Sequence, residues 1–332
     1  MDDDVAAAPR NNFDALRILA ALSVAVSHGF ALTTGSDAAE PVFRLSDGQA
    51  TLGKIAVCVF FVISGYLIPR SFLRTRDPRS FVRARALRLL PALAVMLLVV
   101  ALIAGPLLST WPARAYFADA TPYWHVALNL SLLDSTDRLP GVFGAVPYRW
   151  VVDGSLWTLP VEARCYAVVL LLGVCGLLNR VAAALLLGAT LALAKLWLGG
   201  EAMWFYACFA GGMVMCLWHP PLDGRIATLC AALCVVALLV DGFRIASATL
   251  GAYATLYIAL SPRIRLPDLA RFGDISYGVY IWSFPVQQLA AERVGGPWWA
   301  NIAVSFPLFI GLAYASWWGV EAPALVFKRV RG

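Results

Sequence analysis

The stretch Phe13–Thr34, FDALRILAALSVAVSHGFALTT, is long and apolar enough to cross a bilayer, yet it holds Arg17 and His28. Eleven residues at about 1.5 Å each set these two roughly 16 Å apart along a helix, and the 100° step leaves them within about 20° of one face. Polar groups of this kind inside a membrane span are costly unless they meet a cavity or a partner. Two readings stand for each residue. Arg17 binds an anion, or it snorkels to lipid headgroups from the near end of the span. His28 handles protons near neutral pH, or it is a hydrogen-bonded structural histidine.

The rest of the chain places this helix among others. Hydrophobic residues make up 61% of the sequence and charged residues 14%, with a mean hydropathy of +0.74. That balance excludes a soluble enzyme and describes an all-α polytopic helix bundle. Apolar stretches of spanning length can be drawn at 13–34, 52–72, 87–109, 155–178, 181–199, 202–218, 226–241, 245–260, 271–292 and 297–320, which predicts about ten spans in a single integral membrane domain over 1–332. The formal net charge is +6, but the basic residues cluster in a few connectors. They collect around Arg10 and Arg17, in the run 70–88, and around Arg263, Arg265, Arg271, Lys328, Arg329 and Arg331, so both termini are expected to be cytoplasmic. Nucleic acid is not an expected partner. The acidic start MDDDVAAAPR and the absence of a small-residue cleavage site predict that the first helix is retained.

The seven cysteines form no CxxC pair and read as small buried hydrophobes, and the three histidines lack metal-ligand spacing, so no metal site is expected. Three other stretches carry polar chemistry. The run RSFLRTRDPRSFVRARALR ends on Arg85 and Arg88, three apart on one helical face, which suits a phosphorylated ligand. Part of that run also serves topology. SLWTLPVEARCY places Glu162 and Arg164 about two turns into a span, at a depth similar to His28, so a Glu162–His28 pair is expected, with a Glu162–Arg164 pair as the structural alternative. The segment 110–154, expected outside the membrane, mixes Trp111, Tyr116, Phe117, Tyr123, Trp124, Tyr148 and Trp150 with Asp119, Asp134, Asp137 and Asp153. Aromatic faces beside carboxylates suit a sugar, and they equally describe an interfacial aromatic belt.

In combination these residues resemble the membrane-bound acyltransferase-3 family, the O-acetyltransferases of bacterial surface glycans. Its opening pattern DxLRxxAxxxVxxxH is met by Asp14, Leu16, Arg17, Ala20, Val24 and His28. A second-helix pattern GxxxVxxFFVxSGYL is met from Gly53 through Ser64, Gly65, Tyr66 and Leu67, and an RxxR pair by Arg85 and Arg88. SLWSLxVE is met by Ser155, Leu156, Trp157, Leu159, Val161 and Glu162, and ISYxxYLxHxP by Ile275, Ser276, Tyr277, Tyr280 and Pro285. The chain departs at Ser283, where the family carries a histidine, and at Ala163, where it carries a second acidic residue.

The resemblance implies a multi-pass protein of the bacterial inner membrane that moves an acyl group, acetyl by expectation, from cytoplasmic acyl-CoA to a carbohydrate or cell-envelope glycan. It implies His28 as base with Glu162 orienting it, and Arg17, Arg85 and Arg88 on the donor. Ser64, Tyr66 and Tyr277 are then candidate donors to the thioester oxygen, with Trp157 beside the substrate. The rival classes are a secondary transporter with Arg17, His28 and Glu162 as an ion path, and a non-catalytic scaffold.

Overall fold

Asn12 fixes where the first helix begins. Its side-chain amide donates to the carbonyls of Ile258 (2.7 Å) and Ile264 (2.8 Å), and its backbone N–H to Ala259 (2.9 Å), so the buried residue stitches the chain start to a segment some 250 positions away. The computed structural model describes residues 11–196, 198 and 200–327. The acidic start and the basic Arg10, Lys328, Arg329 and Arg331 lie outside them.

The described residues are helical and contain no strand. We number the main helices α1 (Phe13–Thr34), α2 (Leu52–Thr75), α3 (Pro78–Leu108), α4 (Thr121–Ser131), α5 (Thr158–Val174), α6 (Arg180–Lys195), α7 (Gly200–Trp218), α8 (Gly224–Val240), α9 (Phe243–Leu260), α10 (Ser276–Arg293) and α11 (Trp298–Val326). A helix therefore stands at each apolar stretch drawn from the sequence, and α4 is an addition within the segment 110–154. Six of them, α1, α2, α3, α7, α9 and α11, are long and apolar enough to cross a membrane. α5, α6 and α8 are shorter, at 17, 16 and 17 residues.

Local chemistry sets the boundaries. Asp77 caps α3 through Arg79 and Ser80, and Pro78 suits the first turn, so α3 starts nine residues before the predicted apolar stretch and carries Arg85 and Arg88 on a formed helix. α1 ends where Gly35 turns into the left-handed region (φ 83°) and returns its N–H to Ala31. Buried Glu40 accepts from the N–H groups of Phe43 (2.6 Å) and Leu52 (3.3 Å), closing two helix starts at once.

Packing around the site depends on small residues. α2 lies against α7 so closely that a Cβ on Gly65 would run into the Phe209 carbonyl, and one on Gly212 into that of Val62. We expect Gly65→Val or Gly212→Val to cost at least about 1–3 kcal/mol through overpacking, read as a lowered midpoint of thermal unfolding in detergent. An unchanged midpoint would show that the two helices can part without loss.

α10 is the most enclosed helix, packed between α1 and α11. Its buried amides serve backbone carbonyls: Gln287 donates to Ala25 (2.8 Å), and Gln288 to Tyr148 (2.7 Å) and Val151 (2.6 Å). The latter two bonds hold the segment 110–154 against the end of the bundle where α1 finishes.

Candidate active site

A cavity of about 360 Å³ lies between α1, α2, α3, α5 and α10, with Trp317 and Leu325 of α11 completing its wall. Arg17, Ser64, Arg85, Arg88, Glu162 and Tyr277 all line it, so six of the nine residues singled out in the sequence meet here. The helix directions bring this about: α1 and α3 run parallel, which puts Arg17, Arg85 and Arg88 at one end, and α10 starts at that same end with Ser276 and Tyr277.

The three arginines differ in what neutralises them. Arg88 is held by Asp274 (2.6 Å) and Glu321 (3.4 Å), and Glu321 also accepts from Ser316 (3.0 Å). Asp274 also accepts from the N–H (3.3 Å) and the hydroxyl (2.6 Å) of Ser276. Arg17 lies 3.6 Å from half-exposed Asp14. Arg85 makes no ion pair among the described residues: its Nε is buried without a partner, and its guanidinium rests on the rings of Phe81 (6.0 Å) and Tyr166 (5.9 Å). The Arg85–Arg88 pair expected to act together is thus split. Arg88 is neutralised by two carboxylates, Arg17 has half-exposed Asp14 beside it, and Arg85 has no carboxylate partner among the described residues.

Glu162 does not make the expected hydrogen bond to His28. It accepts from Ser64 Oγ (3.3 Å) and from the hydroxyl of Tyr166, one turn further along α5. Similar depth along two helices does not make them neighbours: α5 packs on α2, α3 and α7, while α1 packs on α2, α10 and α11. Arg164 turns away from Glu162, donating to the Leu133 carbonyl (2.6 Å) and reaching Tyr206 (3.5 Å). His28 sits outside the cavity, its ring edge against Phe284 (5.1 Å) and its Nδ1 buried with no partner. Tyr280 lines the cavity at its outer end and lies one turn of α10, about 6 Å, before Phe284. Its hydroxyl donates to the Ser155 carbonyl (2.8 Å) and meets Thr158 Oγ1 (2.5 Å), tying α10 to the start of α5.

The candidate donors to the thioester oxygen are already engaged or displaced. Ser64 donates to Glu162, and Tyr277 donates to the Leu89 carbonyl (3.0 Å). Tyr66 stacks on Phe13 (5.9 Å) and Trp157 packs on Phe205 (5.5 Å), both outside the cavity walls. Ser283, in place of the family histidine, is fully buried with its Oγ unpaired.

Sequence reasoning passed over Tyr166, Asp274 and Glu321. Tyr166 was within reach, being four residues after Glu162 on a predicted helix. It also passed over His125, whose Nε2 lies 3.0 Å from Asp153 Oδ2 but outside hydrogen-bonding alignment. Both are fully enclosed, so they brace α4 against the start of α5 rather than meet a substrate. Among the described residues no cluster suits a metal ion.

A cavity in a helix bundle with an unpaired cation and a half-buried carboxylate serves transport as readily as acyl transfer; comparison with known proteins separates the two. A family described as "Acyltransferase domain" matches residues 10–319. The chain belongs to the acyltransferase-3 family. It is 29% identical over 329 residues to an O-acetyl transferase of Shigella phage Sf6, covering 94% of this chain and 95% of that one. It is 27% identical over 367 residues to nodulation protein 10 of Rhizobium leguminosarum bv. viciae, covering 96% and 94%. No solved structure shows a significant match. As a member of this acyltransferase family the chain is a multi-pass membrane enzyme that transfers acyl groups, which removes the transporter and scaffold readings.

Proposed function

We propose that this acyltransferase takes an acyl group, acetyl in the first instance, from acyl-CoA on the cytoplasmic side of a bacterial inner membrane and delivers it to a hydroxyl of a cell-envelope carbohydrate. The observation that carries the reading is the charge layout of the cavity: an unneutralised Arg85, with Arg17, at one end, and His28 beyond the other. Phosphates of the donor bind Arg85 and Arg17, since guanidinium groups pair with phosphate oxygens. The pantetheine arm follows the apolar wall of Phe60, Phe61 and Leu67 toward Tyr280.

His28 takes the proton of the acceptor hydroxyl, whose oxygen bonds to the acyl carbon. The carbon–sulfur bond breaks, and the departing thiolate recovers the proton from the imidazolium. No protein group holds the buried Nδ1, so no hydrogen bond fixes the tautomer of the ring. Ten spans with both termini in the cytoplasm set Arg85 on the donor side and the segment 110–154 on the acceptor side.

The test is transfer of label from acetyl-CoA to envelope glycan in membranes containing the protein. Label in a base-labile glycan ester is expected, and its absence would overturn the reading. Arg85→Ala should raise the donor KM by about 10–100-fold, the worth of one or two charge-assisted hydrogen bonds, with little change in melting temperature. An unchanged donor KM would remove Arg85 from the donor site.

A further inference from the structure

A second cleft, of about 390 Å³, opens in the segment 110–154, where Trp111, Trp150, Asp119, Thr121 and Arg138 line it together with the stretch 139–141. The two indoles are 43% and 45% exposed, although each is fixed in place. Trp150 adopts a left-handed backbone (φ 67°) that bulky residues avoid, held by its N–H bond to the Phe143 carbonyl (2.9 Å). Its ring lies so close over Gly144 that a Cβ there would meet it at 2.5 Å, and Gly141 (φ 66°) leaves no room for a Cβ beside Trp111. The Trp111 N–H is bound by Ser109 (3.0 Å). Backbone strain and absent side chains are thus spent on holding two aromatic faces open to solvent.

The polar residues of the cleft are equally set. Asp119 accepts from the Thr121 N–H (2.7 Å), and hydrogen bonding to the Thr121 side chain and backbone keeps its carboxyl below its ordinary value. A carboxylate, an arginine and a hydroxyl in one cleft with two indoles suit a sugar ring: apolar C–H faces stack on indole and rim hydroxyls bond to the charged groups. A lipid chain would leave Asp119 and Arg138 buried and unpaired, and a phosphate would meet the Asp119 charge.

The cleft is also joined to α10, which packs against α1. Gln288 binds the carbonyls of Tyr148 and Val151, the residues on either side of Arg149 and Trp150. The Tyr148 ring faces Phe284 (6.3 Å), whose own ring contacts His28 (5.1 Å). We propose that the Trp111–Trp150 cleft is a pyranose subsite that holds the glycan acceptor beside His28. Its identity as the acceptor site rests on the acyl-transfer reading; the binding of sugar does not.

Two measurements separate these. In the transfer assay, Trp150→Ala and Trp111→Ala should raise the half-saturating concentration of envelope oligosaccharide by about tenfold or more, with the acetyl-CoA KM unchanged. Trp150→Phe, which keeps a stacking face, should recover most of the loss. Trp124→Ala, at a 65% exposed tryptophan outside the cleft, should change neither constant, whereas a general aromatic belt would make it matter as much as Trp150. Equilibrium binding of tritiated envelope oligosaccharide to the full chain in nanodiscs needs no catalysis and should fall in the same two variants. Binding that ignores Trp111 and Trp150 overturns the subsite. Binding that depends on them in a chain that transfers no label upholds the subsite and overturns the acyl-transfer reading alone.

Discussion

Replacing His28 by alanine is expected to lower acetyl transfer by about 10²–10⁴-fold, the usual contribution of a positioned general base, while leaving the protein folded. The surroundings of the ring make the second half of that expectation firm. His28 Nδ1 has no hydrogen-bond partner, so its removal strands no buried group. What is lost is an edge contact with Phe284 and a modest volume, a cost that a bundle of this size absorbs. His28→Gln keeps polarity and bulk without a titratable nitrogen and should be as inactive as the alanine variant. The check is the initial rate of label transfer at saturating acetyl-CoA, normalised to folded protein. A rate within threefold of the parent in both variants would move the base elsewhere. Since Ser283 stands where the family carries a second histidine, no other imidazole lies on α10 to take over.

The elements were readable because helices in a membrane are dictated by apolar length, and each stretch drawn from the sequence corresponds to a helix. The main shift, the early start of α3, arose because a charged first turn hides a span from hydropathy while Asp77 and Pro78 announce it by capping. Within the site, positions along helices were legible and lateral neighbours were not. Arg17, Arg85, Arg88 and Glu162 could be ranked by depth, and all four face one cavity. Depth does not tell which helix stands between two others, and that is why Glu162 turned out to hold Ser64 and Tyr166 instead of His28. The partners of Arg88 come from 186 and 233 residues away, a distance at which no spacing rule operates. His125 on the short helix α4 meets Asp153 across a stretch of irregular backbone, through which no periodicity predicts facing side chains.

Those distant partners lead to the largest expected loss of stability. Arg88→Ala should cost about 3–5 kcal/mol, because it leaves Asp274 and Glu321 without their shared cation in an interior where removing one member of a buried pair exposes the full desolvation penalty of the other. Side-chain exposures of 22% for Arg88, 17% for Asp274 and 2% for Glu321 place the network on the buried side of that rule rather than among surface ion pairs. The three residues also come from α3, the lead-in to α10 and the far part of α11, so the network ties three separate parts of the chain at one end of the cavity. Lysine is a poor replacement, since one ammonium cannot offer the divergent nitrogens that reach Asp274 and Glu321 separately. Arg88→Lys should fall between parent and alanine. Thermal unfolding in detergent, followed alongside donor kinetics, separates this strut from its neighbour three residues earlier. Arg88→Ala should lower the midpoint and the amount of active enzyme with the donor KM of the surviving fraction near the parent value, the reverse of Arg85→Ala. A parent-like midpoint with a tenfold rise in donor KM would instead return Arg88 to the donor site and make Asp274 and Glu321 its tuning carboxylates.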